Sequence, residues 1–183
     1  TQVGSSAASD VYKRQIHVLR CFDNDNITHV DGSVDPVRDK EIIDIELQLK
    51  DLETINNRLE KVSRSAKSGD KESIAEKNVL EKAKDLIESS TNIRVIDLDK
   101  DDINKFLKPL QLITAKPVLY VCNVDESSVA STNNHVDSVK SHIANEGAQL
   151  IILAAGIESE INELESYDER RMFLDDLGLD EPG

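Results

Sequence analysis

The chain has 183 residues, of which 38% are hydrophobic, 3% aromatic and 32% charged. This length suits one ordinary domain, or a domain with an insertion, and is enough to bury a core. A formal net charge of −14 argues against direct DNA binding and against an anionic membrane surface as a partner. The sequence has no apolar run of about 18 residues and no basic leader before an apolar block, so we expect neither a membrane span nor an export signal.

Residues 1–15 are small and polar and show no helical or strand periodicity. We set them aside as a tag-like or disordered segment. The chain also begins without an initiator Met, from which we expect an N-terminal truncation. The two cysteines, Cys21 and Cys122, lie far apart and form no CxxC or Cys/His cluster. We therefore expect two buried free thiols in a reducing cytoplasm.

Two long helices are predicted after a short apolar strand at residues 16–22. Asp35 is a suitable cap and Pro36 a suitable first residue for a helix that runs to about residue 66. Gly69 marks the stop before a second helix at about 71–88. The first helix carries a narrow apolar seam typical of a coiled coil, so the pair is predicted to form an antiparallel hairpin. The seam consists of Ile45, Leu49, Leu52, Ile55, Leu59 and Val62.

The second half of the chain alternates between strands and helices. Residues 92–98 are predicted to be extended and 101–107 to form a short helix. Strands at 118–121 and 149–156 flank an amphipathic helix at 136–146, and an acidic helix broken near Tyr167 follows at 158–177. Such alternation predicts an α/β fold with a parallel sheet, into which the helical hairpin is inserted between two strands.

The apolar strand that begins at Val118 runs directly into Asn123, Val124, Asp125 and Glu126. Its unbroken apolar character predicts a strand buried on both faces, and ligands of parallel sheets lie beyond the carboxyl ends of the strands. An Asn-x-x-acid sequence at that position is how GTPase-type P-loop proteins read a purine base. The alternative is that Asn123, Asp125 and Ser127 only cap the helical segment that follows.

Two stretches carry a resemblance to a known family. Residues 20–39 contain Arg20-Cys21-Phe22 and the string ITHVDGSVDPVRD, and residues 112–126 contain LITAKPVLYV followed by Asn-Val-Asp-Glu. Together they resemble the YchF subfamily of the Obg-like ATPases, which are P-loop NTPases, and the resemblance extends over nearly all of residues 16–183. It implies a partial nucleotide-binding domain at 16–34 and 111–183, and an inserted coiled-coil domain at 35–110.

The resemblance also implies a function. Members of this family are cytoplasmic, associate with ribosomes and generally prefer ATP to GTP. Asn123 and Glu126 would then contact the purine, with Val124 in place of the usual Lys and Glu126 in place of the usual Asp. The longer acid displaces the clamp that holds the guanine 2-amino group, which weakens selection for guanine by about 1–3 kcal/mol.

Three further residues would complete the base pocket. Ala155 and Gly156 match the family's second base-contacting loop, although the family often has Lys at the position of Gly156. Phe22 is a candidate to lie against the base, and ordinary core packing is the alternative for its ring.

The phosphate-binding part of such a site is not found in the sequence. No G-x-x-x-x-G-K-[ST] motif is present, and the segments that bind Mg²⁺ in the family would lie upstream of Ile16. We therefore assign no catalytic residue and no metal ligand to this chain, and we expect it to be inactive by itself. A second hypothesis is a helical interaction module at about 35–110 that binds a protein or the ribosome without catalysis.

Overall fold

A computed structural model describes residues 15–24, 32–129 and 131–177. The sequence predictions for residues 1–14, for the signature residues 27–31 and for the C-terminal turn from residue 178 lie outside these ranges. The chain divides into two compact units. The helical unit consists of Glu41–Pro117, and the sheet unit consists of Gln15–Lys40 together with residues 118–177. None of the described helices is long and apolar enough to cross a membrane.

Two helices dominate the helical unit. Helix α1 spans Pro36–Lys67 and helix α2 spans Lys71–Glu88, close to the predicted bounds. Asp35 caps α1 as expected, because its Oδ1 accepts hydrogen bonds from the backbone N–H groups of Val37 and Arg38 at 3.1 Å. Asp70 caps α2 by accepting from the N–H of Ser73. Gly69 has a positive φ of 87°, which explains the stop between the helices.

The predicted apolar seam of α1 is only partly buried. Ile55 and Val62 lie in the core of the helical unit, and Leu52 and Leu59 pack against it. Ile45 and Leu49 are instead 50% and 61% exposed. In this part of α1 the buried face is polar and consists of Asp44, Gln48 and Asp51. The expectation of a continuous seam from residue 45 is therefore wrong for its first two positions, because polar side chains occupy the inner face there.

The polar inner face of α1 is hydrogen-bonded to the segment that leads back to the sheet. The Asp51 carboxylate accepts three hydrogen bonds of 2.7 Å, from the N–H of Ile113 and from the N–H and Oγ1 of Thr114. Gln48 Nε2 donates to Asn92 Oδ1 at 2.9 Å. These bonds satisfy buried polar groups that would otherwise destabilise the unit.

Residues 92–98 do not form the extended segment that was predicted. Ile93–Val95 is a turn of 3₁₀-helix. The N–H of Ile93 donates to Thr114 Oγ1, and the N–H of Arg94 donates to Thr114 O, so the backbone is paired with a loop rather than with a strand. The predicted short helix follows as three consecutive helical segments, which are Lys100–Asp102, Ile103–Leu107 and Lys108–Leu110.

The sheet unit contains three parallel strands in the order β1-β2-β3. They are β1 (Gln15–Arg20), β2 (Val118–Asn123) and β3 (Gln149–Leu153). Gln15, which the sequence analysis assigned to the N-terminal segment, pairs with Val118 as the first residue of β1. Residues 154–156 are not part of β3, since helix α4 starts at Ala155.

Three helices follow the strands of the sheet unit. They are α3 (Asn134–Ile143), α4 (Ala155–Glu163) and α5 (Tyr167–Leu177). The break between α4 and α5 has a local cause. Ser166 Oγ accepts from the N–H of Glu169 while Glu169 Oε2 accepts from the N–H of Ser166, which is a capping box that starts a new helix.

One face of the sheet packs against these helices. Tyr120 and Cys122 of β2 and Leu19 of β1 are buried with apolar residues of the three helices, among them Val136 and Ile157. Cys21 and Cys122 are buried free cysteines, as predicted. A hydrogen bond with Cys122, together with burial, raises the pKa of the Cys21 thiol.

The opposite face of the sheet is also apolar but is less covered. Ile16 and Val18 of β1 are 67% and 61% exposed, and Ile151 of β3 is exposed too. Val18, Val121 and Ile151 are in register across the three strands. Val121 in the central strand is buried. The prediction of a strand buried on both faces therefore holds for the middle of β2, while its neighbours expose this face.

A buried ion pair links the first turns of α1 to the sheet unit's core. Lys40, which is 2% exposed, lies with its Nζ 2.7 Å from Glu146 Oε1. The hydroxyl of Tyr120 donates to Glu146 Oε2 at 2.9 Å, and Lys40 Nζ lies 5.5 Å from the centre of the Tyr120 ring. Glu146 thus receives one charged and one neutral donor from two different elements.

We predict that Glu146→Ala destabilises the sheet unit by about 3 kcal/mol, because it leaves the Lys40 ammonium buried without its carboxylate. Amide hydrogen exchange of the β2 residues measures this free energy. The exposed Glu163 provides a control, since Glu163→Ala removes the same charge and should change the free energy of unfolding by less than about 0.5 kcal/mol. Equal protection of β2 in both variants would contradict the assignment.

Candidate functional site

The carboxyl ends of the three strands meet at one edge of the sheet. Arg20 of β1, Asn123 of β2 and Leu153 of β3 are register partners. The backbone pairing continues one step further, because the N–H of Cys21 donates to Asn123 O and the N–H of Val124 donates to Leu153 O. Every residue that the sequence analysis proposed for the base pocket lies within a few positions of this edge.

Asn123 connects the centre of this edge to the start of α4. Its Oδ1 accepts a hydrogen bond of 2.9 Å from the N–H of Ala155. It does not cap the helical turn that follows β2, so the capping alternative does not describe this residue. Among residues 15–24, 32–129 and 131–177, no acceptor is found for its Nδ2. The amide can therefore donate to a ligand without losing the bond to Ala155.

Asp125 and Glu126 have different environments. Asp125 precedes the 3₁₀ turn Glu126–Ser128, and its Oδ1 accepts from Ser127 Oγ at 3.1 Å. Hydrogen bonds from Ser128 and Ser127 lower the pKa of the Asp125 carboxyl. Asp125 thus occupies the cap position of this turn, as the capping alternative expects, whereas Ser127 lies inside the turn and donates to Asp125 rather than capping a helix. Glu126 is exposed at the start of the same turn, where its carboxylate can accept from a ligand.

Val124 contributes its backbone rather than its side chain to the edge. The side chain is 3% exposed and belongs to the core of the sheet unit. A Lys stem at this position could lie over a base, whereas this valine is turned into the core. Val124 therefore cannot lie over a base as a Lys stem would, and its side chain instead packs in the core beneath the edge.

Phe22 follows β1 and is half-buried. Arg20 lies over the ring, with its guanidinium carbon 4.9 Å from the ring centre, and its Nε donates to Phe22 O at 3.1 Å. The ring is not a member of the buried core cluster. Core packing was the alternative for Phe22, and the structure instead places the ring in a cation–π contact near the edge.

Ala155 and Gly156 form the first turn of α4, and both are exposed. Ala154 precedes them as the cap residue, and no side-chain hydrogen bond caps this helix. A Cβ atom added to Gly156 would meet no atom within 4 Å. The space above this turn is open, so the family's larger residue would fit here and the glycine leaves that space to a ligand.

Asn133 was not among the residues singled out from the sequence. Its Oδ1 caps α3 by accepting from the N–H of Val136, and its Nδ2 donates to Cys21 O at 2.8 Å and to Ser128 Oγ at 3.2 Å. It therefore joins the loops after β1 and β2. An Asn before an amphipathic helix is a capping signal, but the bond to Cys21 crosses 112 positions and cannot be read from local sequence.

The arrangement provides donors and acceptors for a flat polar ligand. It offers the Asn123 amide, the Glu126 carboxylate and the exposed first turn of α4, and the half-buried ring of Phe22 follows the neighbouring strand β1. In the described part of the chain, no three or more His, Cys, Asp or Glu residues are grouped so that they could hold a metal ion. His135 and Asp23 form a single pair 3.2 Å apart.

A parallel sheet with polar residues at the carboxyl ends of its strands defines an α/β protein of the class that binds ligands at this edge. No family model matches the sequence. The chain is 45% identical to the ribosome-binding ATPase YchF of Bacillus subtilis (strain 168) over 169 residues. The aligned region covers 91% of this chain and 46% of the relative. It is 38% identical to Obg-like ATPase 1 of Oryza sativa subsp. indica over 138 residues. That aligned region covers 74% of this chain and 35% of the relative.

A solved structure agrees with these sequence matches. The YchF GTPase of Schizosaccharomyces pombe superposes with a TM-score of 0.77 at 28% sequence identity, covering 90% of this chain and 45% of that one. The chain belongs to the Obg-like ATPase family, YchF subfamily, as the resemblance implied. It spans less than half the length of these two relatives.

Substitution of Asn123 tests whether its side chain holds the start of α4 at the sheet edge. We predict that Asn123→Ala speeds hydrogen exchange of the Ala155 amide by about fivefold, since a hydrogen bond contributes about 1 kcal/mol. Asn123→Asp keeps an oxygen at the Oδ1 position and should preserve most of the protection. Faster exchange in both variants, or in neither, would show that Oδ1 does not hold the start of α4.

Asp125 should titrate at a lower pH than an ordinary aspartate, whose value is 3.8, because Ser128 and Ser127 bind its carboxylate. A lowered folded-state pKa stabilises the fold above pH 3.8, and that contribution is lost as the pH falls through the folded-state pKa. We predict that Ser128→Ala raises the pKa of Asp125 in a carboxyl NMR titration. Ser131→Ala is the matched control, because Ser131 donates to Ser127 O and not to Asp125. An unchanged pKa in Ser128→Ala would contradict the assignment.

Proposed function

We propose that this chain supplies the purine-recognition part of a ribosome-associated, nucleotide-hydrolysing ATPase. The observation that carries the proposal is the position of Asn123. Its side chain holds the first turn of α4 through Oδ1 and leaves Nδ2 available at the sheet edge, from which the chain continues to the exposed Glu126. Two relatives are named ATPases and one is named ribosome-binding, which supports the same function for the protein to which this chain corresponds.

In the proposed complex the base lies at the carboxyl edge of the sheet. Asn123 Nδ2 donates to an acceptor on the ring edge, and Glu126 accepts from a ring or exocyclic N–H group. The exposed backbone of Ala155 and Gly156 faces the exocyclic substituent, and Phe22 with Arg20 borders the base. Val124 contributes only backbone, because its side chain lies in the core.

ATP is proposed as the preferred nucleotide, with GTP as the weaker ligand. Asp125 is held by Ser127 and Ser128, so the acid available to a base is the longer Glu126. Guanine selection requires an acid that accepts from two adjacent N–H groups at once. A site that does not reward the guanine 2-amino group loses discrimination by about 1–3 kcal/mol.

The phosphates and Mg²⁺ are proposed to be bound by parts of the complete protein that this sequence does not contain, since it has no phosphate-loop motif. Hydrolysis would be attack of water on the γ-phosphate, with those parts stabilising the charge. The 183-residue chain is accordingly proposed to be inactive alone. We also propose a cytoplasmic location and an inserted coiled-coil domain at 35–110 between the two parts of a nucleotide-binding domain at 16–34 and 111–183.

Nucleotide titration of a full-length version of the protein tests the base site. We predict that Asn123→Ala weakens binding of both ATP and GTP by about tenfold. The variant loses one hydrogen bond to the base and also the bond that orders the start of α4. Glu126→Asp should shift the ratio of the two affinities toward GTP. Glu160→Asp, at an exposed position of α4, is the matched control and should change neither affinity.

Two results would contradict the proposal. One is an unchanged nucleotide affinity of the Asn123→Ala variant, provided that its circular dichroism spectrum shows that it is folded. The other is measurable ATP turnover by the purified 183-residue chain, which would show that the base site does not depend on a separate phosphate site.

A second candidate function is a helical interaction module, and the exposed stripe of α1 favours it. Ile42, Ile45 and Leu49 are spaced by three and four residues, so they lie on one side of the helix, and all three are exposed. An apolar stripe in this position can contact a protein partner or the ribosome. Most of the remaining surface of α1 is charged and would simply be solvated.

Deleting residues 35–110 from the full-length protein separates the two functions. Loss of ribosome co-sedimentation with retained nucleotide binding would assign the partner contact to the helical unit. The triple variant Ile42→Ser, Ile45→Ser and Leu49→Ser narrows the test to the exposed stripe. Co-sedimentation equal to that of the unchanged protein in both variants would rule out this candidate.

A further inference from the structure

The helical unit contains a cavity that the proposed nucleotide site does not use. Its volume is about 390 Å³. Small-molecule sites in proteins have volumes of about 300–1,000 Å³, so this cavity is large enough for a ligand. The segments 93–96 and 103–117 enclose it. All of these residues belong to one compact unit.

The cavity has an apolar interior and an accessible mouth. Buried Ile93, Leu107 and Leu112 form the interior, and half-buried Ile96 and Ile103 extend it. The exposed lining residues Gln111, Ala115 and Pro117 place the mouth at the surface. An aliphatic chain that enters this interior would gain about 0.8 kcal/mol for each buried methylene group.

The polar residues around the cavity are cationic. Arg94, Lys108 and Lys116 are part of the lining, and the lining residues within the described part of the chain include no acidic one. This contrasts with a chain that has 36 acidic and 22 basic residues. Arg94 and Lys116 are half-buried, which reduces solvent screening of their charges. The lining therefore favours a negative group beside an apolar body.

We propose that this cavity is a binding site for a small amphiphilic anion, a carboxylate with an aliphatic chain. The chain would occupy the space between Ile93, Leu107 and Leu112. The carboxylate would lie at the mouth, within reach of Lys108, Lys116 and Arg94. The volume admits the aliphatic chain, and charge complementarity selects an anionic head group over an uncharged or a cationic one. The site is independent of the base site in the sheet unit.

Sodium decanoate below its critical micelle concentration is the probe. Its titration into the 183-residue chain is followed by ¹H–¹⁵N NMR. We expect saturable shifts of the amide signals of Ile96, Gln111 and Ala115. Decanoate should bind at least about fivefold more tightly than 1-decanol, because the carboxylate adds charge-assisted contacts. Decyltrimethylammonium and acetate should bind more weakly still.

Paired variants separate the cationic mouth from a general charge effect. Lys108→Gln with Lys116→Gln should weaken decanoate binding at least about fivefold and leave 1-decanol within about twofold. Lys71→Gln with Lys82→Gln removes the same charge from α2, away from the cavity, and should leave decanoate binding within about twofold. Ala115→Phe narrows the mouth and should weaken both ligands, with circular dichroism confirming that the variants fold.

Three outcomes would overturn the proposal. The first is the absence of saturable shifts at the cavity residues. The second is equal affinity for decanoate and 1-decanol, which would leave the cationic lining without a part in binding. The third is concentration-dependent self-association that shifts the same amides without decanoate, which would assign the cavity to a second copy of the chain.

Discussion

The sheet edge depends on the way Asn123 uses both its backbone and its side chain. Its carbonyl accepts from the loop after β1, and its Oδ1 accepts from the first residue of α4 after β3. The central strand therefore fixes both neighbouring loops with one residue. Any ligand that contacts Nδ2 meets an amide whose orientation is already set, so little side-chain entropy is lost on binding.

Between residues 40 and 51, the buried face of helix α1 is polar. Lys40 pairs with Glu146 in the sheet unit, and Asp51 binds the segment around Thr114 in the helical unit. Buried polar pairs of this kind require one geometry, whereas apolar side chains tolerate sliding. Because these polar groups face inward, Ile45 and Leu49 face solvent, which is the opposite of what a simple amphipathic helix would do.

Local patterns were sufficient to predict the elements but not their long-range contacts. The cap at Asp35, the stop at Gly69 and the apolar run of β2 each depend on neighbouring residues, and the structure agrees with them. The exposure of the first two seam residues could not be predicted, because the partners of Asp51 lie about sixty positions away. The sequence alone left the site residues as hypotheses, because the positions of Phe22, Glu126 and Gly156 depend on how three separate strands end.

The uncovered face of the sheet affects how this polypeptide behaves in solution. Ile16, Val18 and Ile151 present β-branched side chains on a sheet in which the β1 edge has no described neighbour beyond it. Exposed apolar strand edges are templates for pairing with another chain and promote aggregation. The net charge of −14 opposes such association by repulsion between molecules, and this repulsion is screened as ionic strength rises. Colloidal stability of the isolated polypeptide should therefore fall with added salt, the reverse of ordinary salting-in.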